Sequence, residues 1–277
     1  MGLTTQEKEL ADKLARFLKT RSPIAKAIQR VRAGMWQSYL FGGVLRDIFR
    51  PDPLVPGVRD VDFVINDEDF NRFHWHLRAF VVSRNRFGGL RLRIGRVPVD
   101  AWSLKQTWAF RQGFVAVRSF RSLTETTFLN IDGIVADISY ARRGSPEVYA
   151  RGYLAAFKNN VLDIELRENP FPSLVAVKAL RAMYRYKLGI NRPLADYISW
   201  VLENVGFEKF ESEQRRHYGR ALVSGERLSL LAASLQRYLR YSSDEVYSPF
   251  AQKDLPGFDR IFLSKRVALN NRYNYAD

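Results

Sequence analysis

The sequence has 277 residues, 46% hydrophobic and 26% charged, a composition typical of a folded globular protein. It contains no cysteine, which excludes disulfides, cysteine-ligated zinc sites and thiol catalysis. The formal net charge of +15 favours a phosphate polymer as partner, with a basic surface that binds nothing as the alternative. No apolar run approaches the roughly 20 residues that span a bilayer, and the N-terminus lacks the layout of a signal peptide. We therefore expect a cytoplasmic protein without a membrane partner.

Hydrophobic periodicity predicts a mixed α/β part followed by a helical part. Leucines at four-residue spacing predict a helix from Thr5 to about Thr20, and Ser22-Pro23 begins a second helix. From Pro170 onward the pattern is almost wholly helical. Further elements are predicted in chain order: strands over 39–41 and 60–65, helices over 44–49 and 67–80, a turn-rich connection over 51–57, a hairpin over 89–104, and strands over 114–118, 127–131 and 134–139.

Gly42 and Gly43 lie between a predicted strand and a predicted helix. Two glycines at such a point let backbone N–H groups approach an anion, and the start of the helix adds further donors. A tight turn without any ligand explains the pair as well. Both interpretations stay open on the glycines alone.

Three aspartates are placed to act together. Asp60 and Asp62 alternate at the start of a strand, so their side chains project from one face. Two carboxylates this close repel each other unless a cation neutralises them, and hard oxygen ligands suit Mg²⁺. Asp100 lies in a second alternating segment that we expect to run beside the first strand. Three acids on neighbouring strands can hold two metal ions and activate a hydroxyl for attack on a phosphate. The alternative for Asp60 and Asp62 is a solvent-exposed strand end.

Taken together, these elements resemble a known family. Gly42-Gly43-x-x-Arg46-Asp47 followed by Asp60-x-Asp62 is similar to the head of the polymerase-β-type nucleotidyltransferases, most of all to CCA-adding enzymes and bacterial poly(A) polymerases. Residues 128–131 (FLNI) resemble the family's RDFTIN element, and residues 180–189 (LRAMYRYKLG) resemble its neck helix. The resemblance covers roughly residues 38–190. It implies an α+β fold: a polymerase-β-like head with a mixed sheet flanked by helices over residues 1–165, and a helical neck and acceptor-binding domain over 166–277.

The resemblance also implies an activity and the residues that perform it. The activity would be transfer of a nucleoside monophosphate from an NTP, ATP among the candidates, to an RNA 3′ end with release of pyrophosphate. The first acceptor to consider is tRNA. Asp60, Asp62 and Asp100 would be catalytic and would bind two Mg²⁺ ions. Contacts to the nucleotide would come from Gly42, Gly43, Arg46, Asn130, Lys178 and Arg181.

Clustered arginines predict where an RNA would bind. One stretch holds five arginines with no acid between them, and basic groups recur in the helical part. We expect the two sets to form one face beside the carboxylates; the alternative is that they decorate solvated surfaces. The first set is Arg84, Arg86, Arg91, Arg93 and Arg96, and the second is Arg215, Arg216, Arg220 and Arg227.

Two rival functions remain. Before its FTIN-like element the family has an arginine and an aspartate, where this sequence has Glu125 and Thr126, and Lys178 replaces an arginine that could bind a phosphate with two nitrogens. The sequence also has no convincing match to the family's EDxxR base-reading motif. Glu125 and this missing motif favour a toxin or defence-type nucleotidyltransferase that modifies tRNA, a protein or a small molecule. The other alternative is a non-catalytic RNA-binding protein that has kept the scaffold.

Overall fold

A computed structural model describes residues 2–50, 60–85, 88–139, 141, 145–218, 221, 223 and 225–248 of the chain. The chain divides into two compact units, Met1–Ala155 and Ala156–Asp277. The domain boundary between residues 165 and 166 stays a prediction. Within the described ranges, no helix is both long enough and apolar enough to cross a membrane.

A seven-stranded mixed sheet forms the centre of the first unit. Its strands are β1 (Ser38–Phe41), β2 (Val61–Ile65), β3 (Val81–Arg84), β4 (Leu90–Ile94), β5 (Val97–Ser103), β6 (Val135–Asp137) and β7 (Glu147–Tyr149). They follow the order β3-β4-β5-β2-β1-β6-β7. β2 and β5 are parallel, and the other neighbouring pairs are antiparallel. The end of β1 therefore lies at the same edge of the sheet as the starts of β2, β5 and β6.

Helices of the first unit begin where the sequence supplies caps. The Thr4 side chain accepts a hydrogen bond from the Glu7 N–H, and the Glu7 carboxylate accepts one from the Thr4 N–H, which completes a capping box. Ser22 caps the second helix ahead of Pro23. Both predicted N-terminal helices are thereby confirmed. The helices are α1 (Thr5–Leu18), α2 (Pro23–Arg32), α3 (Gly43–Phe49), α4 (Phe70–Leu77), α5 (Trp108–Arg111) and α6 (Arg151–Asn159), the last of which contains the boundary between the units.

One face of this sheet packs against the segment that follows β5. Tyr39, Val64 and Val135 come from three adjacent strands, and they pack against buried residues of this segment such as Phe110 and Leu123. Trp102 lies against the same cluster. Since alternate residues of a strand share a face, Asp62 and Asp100 project from this face two residues nearer the edge. The cluster thus fixes the strands that carry the two aspartates.

The prediction of a strand over residues 114–118 is wrong. The N–H groups of Phe114 and Val115 both donate to the carbonyl of Ala109, and Val115 packs onto the sheet face with the cluster around Tyr39. Apolar alternation is here satisfied by a loop that covers the sheet rather than by a strand within it. Strand propensity reflects a fit to a half-buried surface, and this loop meets the same requirement.

The predicted strand over residues 127–131 is also wrong. The hydroxyls of Thr124, Thr126 and Thr127 each donate to the carbonyl three residues earlier. Such local hydrogen bonds compete with strand pairing, and the chain forms 3₁₀ turns over Phe120–Thr126 and Asn130–Asp132.

The helix predicted over 67–80 reduces to α4 between two 3₁₀ turns, Asp67–Asp69 and Arg78–Phe80. The strands predicted at 39–41, 60–65 and 134–139 and the hairpin predicted over 89–104 are confirmed. The connection predicted over 51–57 lies outside the described residues.

The second unit is mainly helical, as predicted. α7 ends at Lys187, whose left-handed backbone (φ 56°) stops the helix before a short strand. Two further strands pair with that one, in the order β10-β9-β8, which the sequence did not predict. The elements are β8 (Val161–Leu162), α7 (Pro172–Tyr186), β9 (Gly189–Asn191), α8 (Arg192–Val205), α9 (Phe207–Tyr218), α10 (Gly225–Tyr241) and β10 (Val246–Tyr247).

Candidate active site

The Gly42-Gly43 turn connects β1 to α3 at the sheet edge. Gly42 has φ 66° and ψ −131°, a combination that residues with a side chain rarely adopt. Its N–H donates to the Ile134 carbonyl at 3.0 Å, which ties the turn to the residue before β6. A Cβ on Gly43 would lie 3.4 Å from a guanidinium nitrogen of Arg46. The first glycine is thus required by the backbone, and the second keeps space beside Arg46.

Strand register brings two of the predicted catalytic aspartates together. Asp62 on β2 and Asp100 on β5 are direct partners across the parallel pair. Both are half-buried, whereas Asp60 lies just before β2 and is exposed. Leu40 pairs with Phe63 on the other side of β2, so the end of β1 and its glycine turn lie next to Asp62. The expectation that the strand of Asp100 runs beside the strand of Asp62 is confirmed.

Asp100 forms an ion pair with an arginine of the next strand. Arg91 on β4 is its direct partner in the antiparallel pair. The Arg91 guanidinium donates from Nε to one carboxylate oxygen at 3.0 Å and from Nη2 to the other at 3.3 Å. Both side chains are partly exposed, at 37% for Arg91 and 23% for Asp100. A two-point contact of this kind fixes the orientation of the carboxylate.

Arg46 links the glycine turn to the element predicted to contact the nucleotide. Its Nη1 contacts Asp132 at 2.5 Å, and its Nε contacts Asp47 at 3.2 Å. Asp132 ends the 3₁₀ turn that contains Asn130, a residue that is 6% exposed. Gly43, Arg46 and Asn130 therefore lie on adjacent elements at one edge of the sheet. Arg46 therefore lies near any anion bound at this edge of the sheet, and Asp47 and Asp132 are its ion-pair partners.

Tyr39 is a buried tyrosine on the sheet face that carries the cluster. Burial, together with the carboxylates of Asp137 and Asp69, raises the pKa of the Tyr39 phenol to about 12. Its ring stacks on Phe120 with 5.0 Å between centroids. The Tyr39 ring therefore packs on the sheet face and stays uncharged well above neutral pH.

The paired carboxylates are ligands of the kind that Mg²⁺ prefers, but they are two rather than the three that the sequence predicts. Asp62 and Asp100 offer hard oxygen donors from facing positions on one side of the sheet, which suits this ion. Among the residues that the structure describes, no three acidic or histidine side chains are gathered closely enough to hold a metal ion. Asp60 is exposed just before β2, and Asp100 is engaged by Arg91.

Two predicted nucleotide contacts belong to the second unit. Lys178 is exposed and Arg181 half-buried on α7, and they are three residues apart, so they share one side of the helix. Whether they meet a nucleotide held by the first unit stays a prediction.

Basic residues proposed for RNA binding are mostly exposed. Arg215 and Arg216 lie on α9, where Arg215 is 3.4 Å from Glu211 one turn earlier. Arg227 is exposed on α10, and Arg220 lies outside the described residues. In the first unit Arg84, Arg93 and Arg96 are exposed, and Arg86 lies outside the described residues. One continuous basic face remains a prediction.

Two ion pairs at the site were missed from the sequence. The contact between Arg46 and Asp132 joins elements too far apart for spacing to reveal. The contact between Arg91 and Asp100 could have been found, because Ile94 pairs with Val97 around a two-residue Gly95-Arg96 turn. Residues equally distant from that turn must then face each other.

Glu125 stands where the resembling family has an arginine. Its carboxylate contacts Arg118 and, at 3.6 Å, Arg151. The reversed charge is thus compensated within the first unit, and the position offers a carboxylate where the family offers a cation.

Comparison with known proteins places this geometry in a fold. No family model matches the sequence, and no curated protein does. Solved structures do match. The Thermotoga maritima CCA-adding enzyme complexed with tRNA superposes with a TM-score of 0.56 and 15% identity, over 82% of this chain and 53% of that one. A CCA-adding enzyme in an apo form superposes with a TM-score of 0.54 and 14% identity, over 81% of this chain and 52% of that one. The chain has the fold of the polymerase-β-type nucleotidyltransferases.

A third nucleotidyltransferase structure was determined with ligands. It is a tRNA nucleotidyltransferase complexed with a primer tRNA and an incoming ATP analogue, at a TM-score of 0.51 and 21% identity, over 78% of this chain and 59% of that one. The chain therefore spans little more than half the length of these nucleotidyltransferases. The fold class implied by the sequence is confirmed: a mixed sheet flanked by helices, followed by a helical part.

Proposed function

We propose that the protein is a Mg²⁺-dependent nucleotidyltransferase that moves a nucleoside monophosphate from an NTP to the 3′ hydroxyl of an RNA, with tRNA as the first acceptor to test. One observation carries the proposal. Asp62 and Asp100 face each other on parallel strands, next to the Gly42-Gly43 turn, within a nucleotidyltransferase fold. The similar structures that contain tRNA, an ATP analogue or CTP support the choice of substrates.

The residues at the sheet edge would divide the work between two groups of atoms. Asp60, Asp62 and Asp100 would hold Mg²⁺, which would supply neutralisation of charge on the α-phosphate and lower the pKa of a bound hydroxyl. Arg46 would exchange an acidic neighbour for a phosphate oxygen of the NTP. Gly43, without a side chain, would leave room for that phosphate beside Arg46.

The reaction balances without any further reactant. The acceptor hydroxyl oxygen forms a bond to the α-phosphorus, and the bond from that phosphorus to the bridging oxygen of the β-phosphate breaks. Pyrophosphate leaves with the bonding electrons, and the hydroxyl proton passes to solvent or to a carboxylate. Most of the catalytic effect would come from holding the groups in line and stabilising charge.

A second candidate, modification of tRNA, a protein or a small molecule in a toxin or defence role, is favoured by Glu125. The carboxylate and its partners Arg118 and Arg151 occupy a position where the resembling family keeps an arginine for the nucleotide. An altered contact at that point would change which nucleotide or acceptor is used, while the carboxylate pair would stay the same.

The test is a screen of wild-type protein with each of the four α-labelled NTPs, in Mg²⁺ and in EDTA. Each NTP is paired with tRNA lacking its 3′ end, with bulk RNA, and with no added acceptor. Mg²⁺-dependent label at the 3′ end of tRNA is the expected result. Label on protein without RNA would favour the second candidate. RNA binding without label on any acceptor would contradict enzymatic activity and favour an RNA-binding protein.

A further inference from the structure

We propose that Arg91 controls access of a divalent cation to the carboxylate pair. Its guanidinium holds Asp100, and the cation binds once Arg91 has released that carboxylate. The inference rests on the proposed function only for the identity of the ion, because the arrangement of the three side chains is a property of the sheet. It assigns a positioning role to a residue that neither the spacing of the acids nor the resemblance singles out.

The hairpin between β4 and β5 determines which arginine reaches Asp100. Pairing runs outward from the Gly95-Arg96 turn, with Arg93 opposite Pro98 and Arg91 opposite Asp100. Facing residues in an antiparallel pair have side chains on the same side of the sheet and within reach of each other. Arg91 therefore contacts both carboxylate oxygens, at 3.0 and 3.3 Å. Each carboxylate oxygen of Asp100 already accepts one hydrogen bond from Arg91.

Asp62 makes this ion pair relevant to a cation. It is the partner of Asp100 on the strand opposite to Arg91, so Asp100 lies between a carboxylate and a guanidinium. A cation shared by Asp62 and Asp100 needs at least one oxygen that Arg91 now occupies. The competition is direct, because guanidinium and metal are alternative positive partners for the same atoms.

Exposure allows the exchange. The Arg91 side chain is 37% exposed, and ion pairs that contact water are weak compared with buried ones. Arg91 can leave Asp100 without being buried unpaired, and an anion that arrives with the cation offers it a new partner. The pair thus keeps the two aspartates from repelling each other until a cation takes over.

Arg93 provides a matched control for this inference. It is on the same strand and the same side of the sheet, two residues from Arg91, and it is exposed opposite Pro98. Replacing Arg93 or Arg91 by alanine removes the same charge from nearly the same place. Only the replacement of Arg91 removes a direct competitor for Asp100.

Mn²⁺ binding to the full-length chain without nucleotide tests the proposal, with free Mn²⁺ measured by electron paramagnetic resonance. The variants are R91A, R93A, D100N and R91A/D100N, and circular dichroism and thermal unfolding report whether each is folded. R91A should bind Mn²⁺ about tenfold more tightly than wild type, since a charged hydrogen bond contributes about 1.4 kcal/mol or more and that energy is one factor of ten. R93A should stay within about twofold of wild type, and D100N should abolish the gain in the R91A background.

The competing outcomes are distinct. Equal Mn²⁺ affinities for R91A and R93A, or no Mn²⁺ binding by any variant, would overturn the role of Arg91. R91K, which keeps the charge but not the two-point contact, serves if R91A fails to fold, and an affinity no higher than that of wild type would again overturn it. NMP transfer by wild type with no gain in R91A would remove this inference and leave the proposed function. Tighter Mn²⁺ binding by R91A with no NMP transfer to any acceptor would support this inference and contradict the proposed function.

Discussion

The sheet edge of the first unit and helix α9 of the second both carry predicted site residues, and the fold treats them differently. At the sheet edge, strand register makes direct neighbours of Asp62 and Asp100, which are far apart in sequence. On α9, Arg215 has as its ion-pair partner Glu211, one turn earlier on the same helix. Strand pairing thus creates contacts between residues that are distant in sequence, whereas this ion pair on a helix face joins residues whose contact follows from their four-residue spacing.

The largest effect on folding is expected from a backbone position at the sheet edge. In Gly42→Ala the new Cβ meets no atom within 4 Å, but the residue must keep φ 66° and ψ −131°. We expect the free energy of unfolding to fall by roughly 1–3 kcal/mol. Urea denaturation measures it. Gly43→Ala is the control: its Cβ makes only ordinary contact with Arg46, so stability should not fall. Equal losses in both variants would contradict the assignment of strain to Gly42.

Arg46 tests whether the edge binds the triphosphate. Arg46→Ala should raise the KM for the NTP about tenfold, the loss expected for one charged hydrogen bond, with a smaller change in kcat. Arg46→Lys keeps the charge but not the two-point guanidinium contact, so its KM should lie between those of wild type and Arg46→Ala. Steady-state kinetics at saturating acceptor provide the measurement. An unchanged KM in Arg46→Ala would leave Arg46 as a structural partner of Asp132 alone.

The arginines of α9 test the other side of the comparison. If they contact RNA, Arg215→Ala with Arg216→Ala should weaken RNA binding and flatten its salt dependence, by about 0.7 in log–log slope for each phosphate that is no longer neutralised. Binding of the NTP should be nearly unchanged. A filter-binding titration over a range of salt concentrations decides. An unchanged slope would mean that these side chains only decorate a solvated helix.

The smallest expected effect compares one tyrosine from each unit. The pKa values of Tyr39 and Tyr197 are both raised to about 12, chiefly by burial, but Asp137 and Asp69 raise the first whereas Arg167 lowers the second. Salt screens these charges, so 0.5 M NaCl should lower the pKa of Tyr39 and raise that of Tyr197. Phenolate absorbance of wild type minus each Tyr→Phe variant, followed with pH, gives the two values. Shifts in the same direction would contradict the assigned neighbours.

Stability should follow pH with a defined sign. Because the folded pKa of Tyr39 lies above the ordinary value of 10, the folded state retains a proton that the unfolded state loses. The contribution is complete below pH 10 and is lost as the pH rises toward 12. The decline should be shallower in Tyr39→Phe than in wild type.

Much of the fold was predictable because local chemistry and tertiary structure agree. The capping residues Thr4 and Ser22 begin the helices that they predict, and the alternation of β4 and β5 gives the hairpin. Residues 114–118 and 127–131 were predicted wrongly for a common reason. Their apolar residues satisfy burial from loops and 3₁₀ turns, and single-sequence periodicity does not distinguish a strand in a sheet from a loop on its face.

The sequence predicted which residues form the site but not which of them contact each other. Spacing places Asp62 and Asp100 on strands, yet only the register shows that they face each other and that Arg91 shares Asp100. The contact between Arg46 and Asp132 depends on where α3 meets the turn before β6, which no local pattern specifies.

The central claim is that the carboxylates at this sheet edge catalyse nucleotidyl transfer. The most direct measurement compares the rate of Mg²⁺-dependent transfer of labelled NMP to RNA by wild type, Asp60→Ala, Asp62→Ala and Asp12→Ala, the last an exposed aspartate of α1. We predict that Asp60→Ala and Asp62→Ala lose at least about a hundredfold, as when one group that stabilises transition-state charge is removed, with the fold intact by circular dichroism, and that Asp12→Ala matches wild type. Turnover like that of wild type in Asp60→Ala or Asp62→Ala would contradict the account.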